Sequence, residues 1–142
     1  MGMFIKQLSI FVENKFGRLE AIINALGKSG VNLRALSIAD TTDFGILRVI
    51  VDDTDKAKKA LDDIGVIAKA TNVIAVYIDD KTGGLAKVLG YLTEEKISVE
   101  YMYAFLARDT SRALMVLKAD DEAAAERVLT LKGVEIFDPK EL

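Results

Sequence analysis

Two short stretches carry residue types suited to binding a small charged molecule. They are Asn14-Lys15-Phe16-Gly17-Arg18-Leu19 and Asp80-Lys81-Thr82-Gly83-Gly84-Leu85. Each follows an apolar, strand-like segment and opens a segment with helical periodicity. A helix start exposes unpaired backbone N–H groups that favour a carboxylate, and glycine allows a ligand to approach closely. Each turn is therefore a candidate site for a carboxylate.

Groups that could accept a hydrogen bond from a cation stand in or near the turns. We consider the amide oxygen of Asn14 and the carboxylates of Asp40 and Asp80 as candidates, with Phe16 as an apolar wall. The competing interpretation is that the glycines serve turn geometry alone and that Lys15 faces solvent. For the second turn, the Gly-Gly pair is also compatible with a role at an interface between two parts of the molecule.

Composition excludes most catalytic and metal chemistry. The 142 residues include no cysteine and no histidine, so disulfides, thiolate nucleophiles, Ser-His-Asp triads and nearly all zinc sites are ruled out. We predict no catalytic residue, no metal and no cofactor. A small enzyme that uses carboxylates or lysines stays a third hypothesis, but the sequence places no two carboxylates in one convergent site.

The charge pattern narrows the partners and the location. The net charge is −3 and basic residues are scattered among acids, which argues against nucleic-acid binding. No apolar run approaches the roughly 18–20 residues that span a bilayer. The first ten residues, MGMFIKQLSI, lack the features of a signal peptide. We expect a cytoplasmic protein with no membrane partner.

The chain contains an internal repeat. LSIFVENKFGRLEAIINALGKSGVNL, which begins at Leu8, aligns with IAVYIDDKTGGLAKVLGYLTEEKISV, which begins at Ile74. Apolar positions coincide throughout, Gly17 aligns with Gly83, and the match continues through GILRVIVDD over RALMVLKADD. A duplication explains this pattern. We predict two domains, residues 1–70 and 71–142.

Both copies predict the same order of elements from hydrophobic period and turn residues. The strands predicted in the first copy are 5–12, 31–39, 45–52 and 66–70, with helices from Arg18 to Ser29 and after the capping residue Asp53. The strands predicted in the second copy are 73–79, 98–106, 111–118 and 133–137, with helices over 85–95 and 121–131. The predicted buried helix positions are Leu19, Ile22, Ile23, Leu26, Ala57, Ala60, Leu61, Ile64, Leu85, Val88, Leu89 and Leu92.

This β-α-β-β-α-β order, present twice, predicts an α+β fold of two tandem ferredoxin-like units with antiparallel sheets and helices on one face. In the segment EYMYAFLA both alternating sets of side chains are largely apolar. We therefore expect this strand to be covered on both faces, by another sheet, by the other copy or by a second chain, which favours a homo-oligomer.

The turns and the order of elements resemble the ACT family of small-molecule regulatory modules. The family's turn commonly reads Asp or Asn, Lys or Arg, Pro, Gly, any residue, Leu. Both turns keep these positions except the proline, and the chain's single proline is Pro139. The segments GVNL and KISV also resemble the family's entry into its second strand. The resemblance covers both copies and is to the stand-alone tandem ACT proteins.

The resemblance implies an amino acid, or a similar small ligand, bound where the turn of one unit meets the sheet edge of its neighbour. The implied ligand-binding residues are Asn14, Lys15, Phe16, Gly17, Arg18, Leu19, Ile38, Ala39, Asp40, Asp80, Thr82, Gly83, Gly84 and Leu85. Phe16 favours a ligand with an apolar or aromatic side chain. A ligand with a polar side chain is also compatible, because that side chain could project toward Arg18.

We predict a non-catalytic regulatory sensor that binds an amino acid and forms a homodimer. The alternative is a regulatory or interaction subunit that controls a separate enzyme of amino-acid metabolism through protein–protein contact.

Overall fold

The computed structural model describes residues 2–40, 43–106 and 112–142, with the backbone alone for Asp40. Contacts divide the chain into two compact units. One unit is Lys6–Thr71, and the other combines Asn72–Leu142 with the N-terminal residues as far as Ile5. The proposed domain limits, residues 1–70 and 71–142, stay a prediction. Among the described residues, no helix is long and apolar enough to cross a bilayer.

The first unit packs two helices on one face of an antiparallel sheet. Its elements are β1 (Ile5–Glu13), α1 (Arg18–Lys28), β2 (Leu33–Asp40), β3 (Phe44–Val51), α2 (Thr54–Asp63) and the beginning of β4 (Ala68–Asp79). β3 pairs antiparallel with both β1 and β2. Alternate residues of β1 and β3 face the helices because side chains alternate along a strand. The core includes Leu8, Ile10, Leu47, Val49, Ile22, Leu26, Ala57 and Leu61.

The second unit repeats this arrangement. It contains the remainder of β4, then α3 (Gly84–Glu94), β5 (Val99–Ala104), β6 (Arg112–Ala119), α4 (Glu122–Leu131) and a short 3₁₀ helix (Pro139–Glu141). β6 pairs antiparallel with β4 and with β5. The core includes Ile74, Val76, Ile78, Val88, Leu92, Leu117, Ala125 and Leu129. The predicted α+β fold of two ferredoxin-like units with antiparallel sheets is thus confirmed.

Three predicted strands differ from those observed. The strands expected over 66–70 and 73–79 are one continuous strand, β4, because Thr71 and Asn72 between them are themselves extended. The strand expected over 133–137 is reduced to a single bridge between Val76 and Ile136. Pro139 opens the 3₁₀ helix soon afterwards, so the chain leaves the sheet. The expected start of a strand at residue 111 lies outside the described residues.

Of the positions predicted to be buried in helices, three are partly buried (Ile23, Ala60 and Leu89) and three are exposed. Leu19 is 41% exposed, Leu85 37% and Ile64 40%. Leu19 and Leu85 lie in the first turn of their helices, and Ile64 is the C-cap of α2. Hydrophobic periodicity predicts which face of the helix a side chain lies on. At a helix end, however, the sheet does not cover a side chain on the inward face.

The segment EYMYAFLA is not covered on both faces in this chain. Tyr103 and Phe105 are buried, and the Phe105 ring centroid lies 5.4 Å from that of Phe137. In the other alternating set Ala104 is exposed and Leu106 is 57% exposed. The last residues of this set face outward in the single chain, and their coverage by a second chain stays a prediction.

Candidate ligand-binding site

The first turn is a tight, hydrogen-bonded turn that ends on a left-handed glycine. Gly17 has φ 77° and ψ −2°, a conformation that glycine adopts without strain. The Lys15 N–H donates to the Glu13 carbonyl at 2.8 Å, and the Arg18 N–H donates to the Lys15 carbonyl at 3.1 Å. The Asn14 N–H donates to the Asp43 carbonyl at 3.2 Å, which ties the turn to the connection between β2 and β3.

The second turn has the same geometry. Gly83 has φ 82° and ψ −1°. The Lys81 N–H donates to the Asp79 carbonyl at 2.8 Å, and the Gly84 N–H donates to the Lys81 carbonyl at 3.1 Å. The duplication has therefore preserved the path of the backbone at both turns, including two hydrogen bonds.

The four helices differ in how they begin, and the difference follows the repeat. α2 is capped by Asp53, whose carboxylate accepts from the Lys56 N–H at 3.1 Å, and α4 is capped by Asp121, which accepts from the Ala124 N–H at 3.0 Å. α1 and α3 begin at Gly17 and Gly83 with no side-chain cap. The first N–H of each of these helices donates to the Lys15 or Lys81 carbonyl, and the following N–H groups of the first turn are left to an external acceptor.

The side chains of the first turn are open to solvent. Phe16 is fully exposed, so within this chain it does not wall a cavity. Lys15 Nζ lies 2.8 Å from Glu13 Oε2. This hydrogen bond, with the charge of the lysine, lowers the pKa of the Glu13 carboxyl below its usual value. Lys15 is thus engaged with its own strand.

The end of β2 lies in the same unit as the first turn. Ile38 pairs with Leu47 and is partly exposed, and the backbone of Asp40 pairs with Gly45. Ala39 is half-buried between them in the strand. The expected role of the Asp40 carboxylate falls outside the described residues.

The second turn opens into a cavity of about 400 Å³ that lies wholly within the second unit. Of the predicted site residues, the structure brings Thr82, Gly83 and Gly84 to its wall, together with Lys81. Asp80 and Leu85 are exposed residues that do not line it. The volume is within the range of about 300–1,000 Å³ usual for small-molecule sites.

Packing requires a glycine at position 84, independently of any ligand. A Cβ at this position would overlap the carbonyl oxygen of Asp79 and contact Ile78, and Gly84 itself is buried. The absence of a side chain therefore lets the start of α3 lie directly on the end of β4. At Gly17 and Gly83, by contrast, a Cβ would meet nothing within 4 Å.

The other walls of the cavity carry charges that the sequence interpretation missed. Arg112 Nη1 lies 2.9 Å from Glu135 Oε1, and the guanidinium carbon is 4.0 Å from the Tyr77 ring centroid. Lys132 Nζ is 5.6 Å from the Tyr91 ring centroid. Lys87, one turn into α3, completes the basic lining. These side chains are visible in the sequence only as places where the second copy differs from the first.

Two ferredoxin-like units with the same uncapped, glycine-started helix define a duplicated domain of a single type. A family model described as an ACT domain pair matches residues 3–142, and the chain belongs to this family. ACT domains are regulatory and non-catalytic, so this membership indicates a regulatory role. The resemblance seen in the turns is therefore confirmed.

Solved structures share the fold. A protein from Bacteroides thetaiotaomicron is 43% identical, with a TM-score of 0.91 over 96% of this chain and 94% of that one. The ligand-free regulatory subunit of aspartate kinase from Thermus thermophilus is 15% identical, with a TM-score of 0.65 over 92% and 93% of the two chains. This second likeness concerns the fold alone. A comparison with curated proteins gives no match.

Proposed function

We propose that the protein is a non-catalytic sensor that binds an amino acid at the helix starts after Gly17 and Gly83. The observation that carries this proposal is the contrast in capping. Asp53 and Asp121 close the starts of α2 and α4, whereas α1 and α3 begin without a side-chain cap. A ligand carboxylate would accept hydrogen bonds from the N–H groups that no side chain satisfies.

The cavity of the second unit supports the proposal independently of capping. It gives the second turn the concave shape that a small ligand needs, and it places the Asp79 and Glu135 carboxylates on its wall. Either carboxylate is a suitable acceptor for an ammonium group. At the first turn the exposed Phe16 leaves an open surface, so we expect the second turn to bind more tightly.

A thermal-shift screen of the twenty amino acids tests the proposal. A ligand that binds only the folded state stabilises it by about 2.7 kcal/mol when its concentration is 100 times its Kd. We expect at least one amino acid to raise the Tm. If none does so at millimolar concentration, the protein is not an amino-acid sensor.

Glycine variants then locate the site. Gly17→Ala and Gly83→Ala each place a methyl group at a helix start, and Gly30→Ala is the matched control because Gly30 has φ 82° and equally open surroundings. All three should lose about 1–2 kcal/mol of folding free energy, since each forces alanine into the left-handed region. Only Gly17→Ala or Gly83→Ala should weaken the response to the amino acid. Equal weakening in Gly30→Ala would contradict recognition at the helix starts.

The alternative function is a regulatory subunit that acts on a separate enzyme. It is favoured by large apolar side chains that the first unit exposes, namely Phe11, Phe16 and Ile67. Light scattering on the purified chain measures the proposed homodimer, and co-purification of an enzyme from the native source would favour the subunit. A chain that remains monomeric at all concentrations would contradict the homodimer.

A further inference from the structure

The cavity of the second unit has an excess of positive charge. Among the described residues, four basic side chains line it: Lys81, Lys87, Arg112 and Lys132. Two acidic side chains, Asp79 and Glu135, line it as well. Lys81 Nζ lies 3.8 Å from Asp79 Oδ2, and Arg112 is paired with Glu135 at 2.9 Å.

The two remaining lysines account for the excess. Among the described residues, no carboxylate lies within 4.0 Å of Lys87 Nζ or Lys132 Nζ. Lys87 belongs to the first half of α3, whereas Lys132 is the C-cap of α4. Two elements far apart in sequence therefore each bring an ammonium group without a carboxylate partner to the same cavity.

The fold itself does not require these charges, as the first unit shows. The two units align by their turns, their capping aspartates and their left-handed glycines, such as Gly65 and Gly133. In this alignment Asp79 and Lys81 correspond to the charged residues Glu13 and Lys15, but the other four charged positions of the cavity are uncharged in the first unit. The equivalents of Lys87, Arg112, Lys132 and Glu135 are, in that order, Ala21, Phe44, Ile64 and Ile67.

We propose that the second-unit cavity selects an amino acid with an acidic side chain, an inference that rests on the proposed function. Such a ligand carries two anionic groups and one ammonium group. The cavity offers the helix start at Gly83 for one acid, the Asp79 carboxylate for the ammonium group, and Lys87 and Lys132 for the second acid. A neutral amino acid would leave both lysine charges without a counter-charge.

Titration calorimetry at low ionic strength tests this selection with pairs of similar size. Aspartate is compared with asparagine and glutamate with glutamine, and O-phosphoserine and inorganic phosphate are added to distinguish a carboxylate from a phosphate. We expect at least one acid to bind ten times more tightly than its amide. We also expect that preference to weaken as salt is added, because salt screens partly exposed charges.

The variant Lys87→Ala with Lys132→Ile gives the cavity the first unit's residues at these two positions. It should bind the acid and its amide within about twofold of one another. Lys58→Ala with Lys59→Ala is the matched control, since it removes two exposed charges from α2, and it should keep the preference. If the first variant folds poorly by circular dichroism, Lys87→Gln and Lys132→Gln separately provide the same comparison.

The outcomes separate the selection from the proposed function. Equal binding of acids and amides, or an acid preference that survives loss of both lysines, overturns the selection and leaves the sensor intact. Binding of phosphate compounds without binding of aspartate or glutamate overturns it as well. Absence of binding by every amino acid overturns both proposals.

Discussion

A half-buried carboxyl at the start of α4 makes stability depend on pH in an unusual direction. Glu122 Oε1 accepts a hydrogen bond from the Ala119 N–H, while its Oε2 is buried with no hydrogen-bond partner among the described residues. Burial raises the pKa of Glu122 to about 7. The Ala119 N–H and Lys118 oppose this rise, and the Glu100 carboxylate adds to it. Lys118 Nζ lies 3.6 Å from Glu100 Oε1, so its charge is shared.

The direction in which stability changes with pH follows from proton binding by the folded and unfolded chains. Between its ordinary pKa of 4.5 and about 7, Glu122 is protonated in the folded chain but ionised in the unfolded chain. The folded state therefore binds more protons, and raising the pH through this interval destabilises it. At about 1.4 kcal/mol per pH unit the interval amounts to about 3 kcal/mol at most. Solvent screening of a partly exposed carboxyl reduces this to about 1–2 kcal/mol.

Glu122→Gln removes the ionisation and keeps an oxygen acceptor for the Ala119 N–H. We expect this variant to exceed the parent by about 1–2 kcal/mol in free energy of unfolding at pH 8 and to equal it at pH 4.5. Urea denaturation at a series of pH values measures the difference. Glu94→Gln, at an exposed position near the end of α3, is the control and should stay within about 0.5 kcal/mol. A difference between Glu122→Gln and the parent that does not vary with pH would refute the reasoning.

Three further predictions concern single side chains, each measured by urea denaturation. Gly84→Ala should lower the free energy of unfolding by about 1–3 kcal/mol, because the new methyl group overlaps the backbone. Gly90→Ala, which has open space in the same helix, should raise it by about 0.5–1 kcal/mol. If Gly84→Ala leaves stability unchanged, the close packing of α3 on β4 is contradicted. Asp121→Ala should lose about 1 kcal/mol with the α4 cap, and no loss would show that solvent replaces it. Leu129→Ala should lose about 2–5 kcal/mol, but exposed Leu131→Ala less than about 0.5 kcal/mol; similar losses would place the core elsewhere.

Much of the fold is predictable from local signals. Hydrophobic periodicity and the matched glycines identify two copies of one unit. The sequence alone also identifies Asp53 as the residue that caps α2. Strand ends are less predictable, because β4 continues through Asn72, a residue type that is common in turns. Exposure at helix ends, as at Leu19, depends on what lies opposite, which periodicity does not report.

The candidate site is predictable in one part only. The glycine turns are local, so Gly17 and Gly83 are identified from neighbouring residues. The basic lining of the cavity is not local, since Lys87, Arg112 and Lys132 come from α3, β6 and the end of α4. Only a comparison of the two copies, position by position, would have drawn attention to them.

The uncapped starts of α1 and α3 have a consequence for how a signal would be produced. A carboxylate bound there would act as a detachable capping residue, supplied by the ligand instead of by the chain. The stability of the first helical turn would then be coupled directly to the occupancy of the ligand. In each ACT unit, one helix would be capped permanently by an aspartate. The first turn of the other helix would become more or less stable with the concentration of a metabolite.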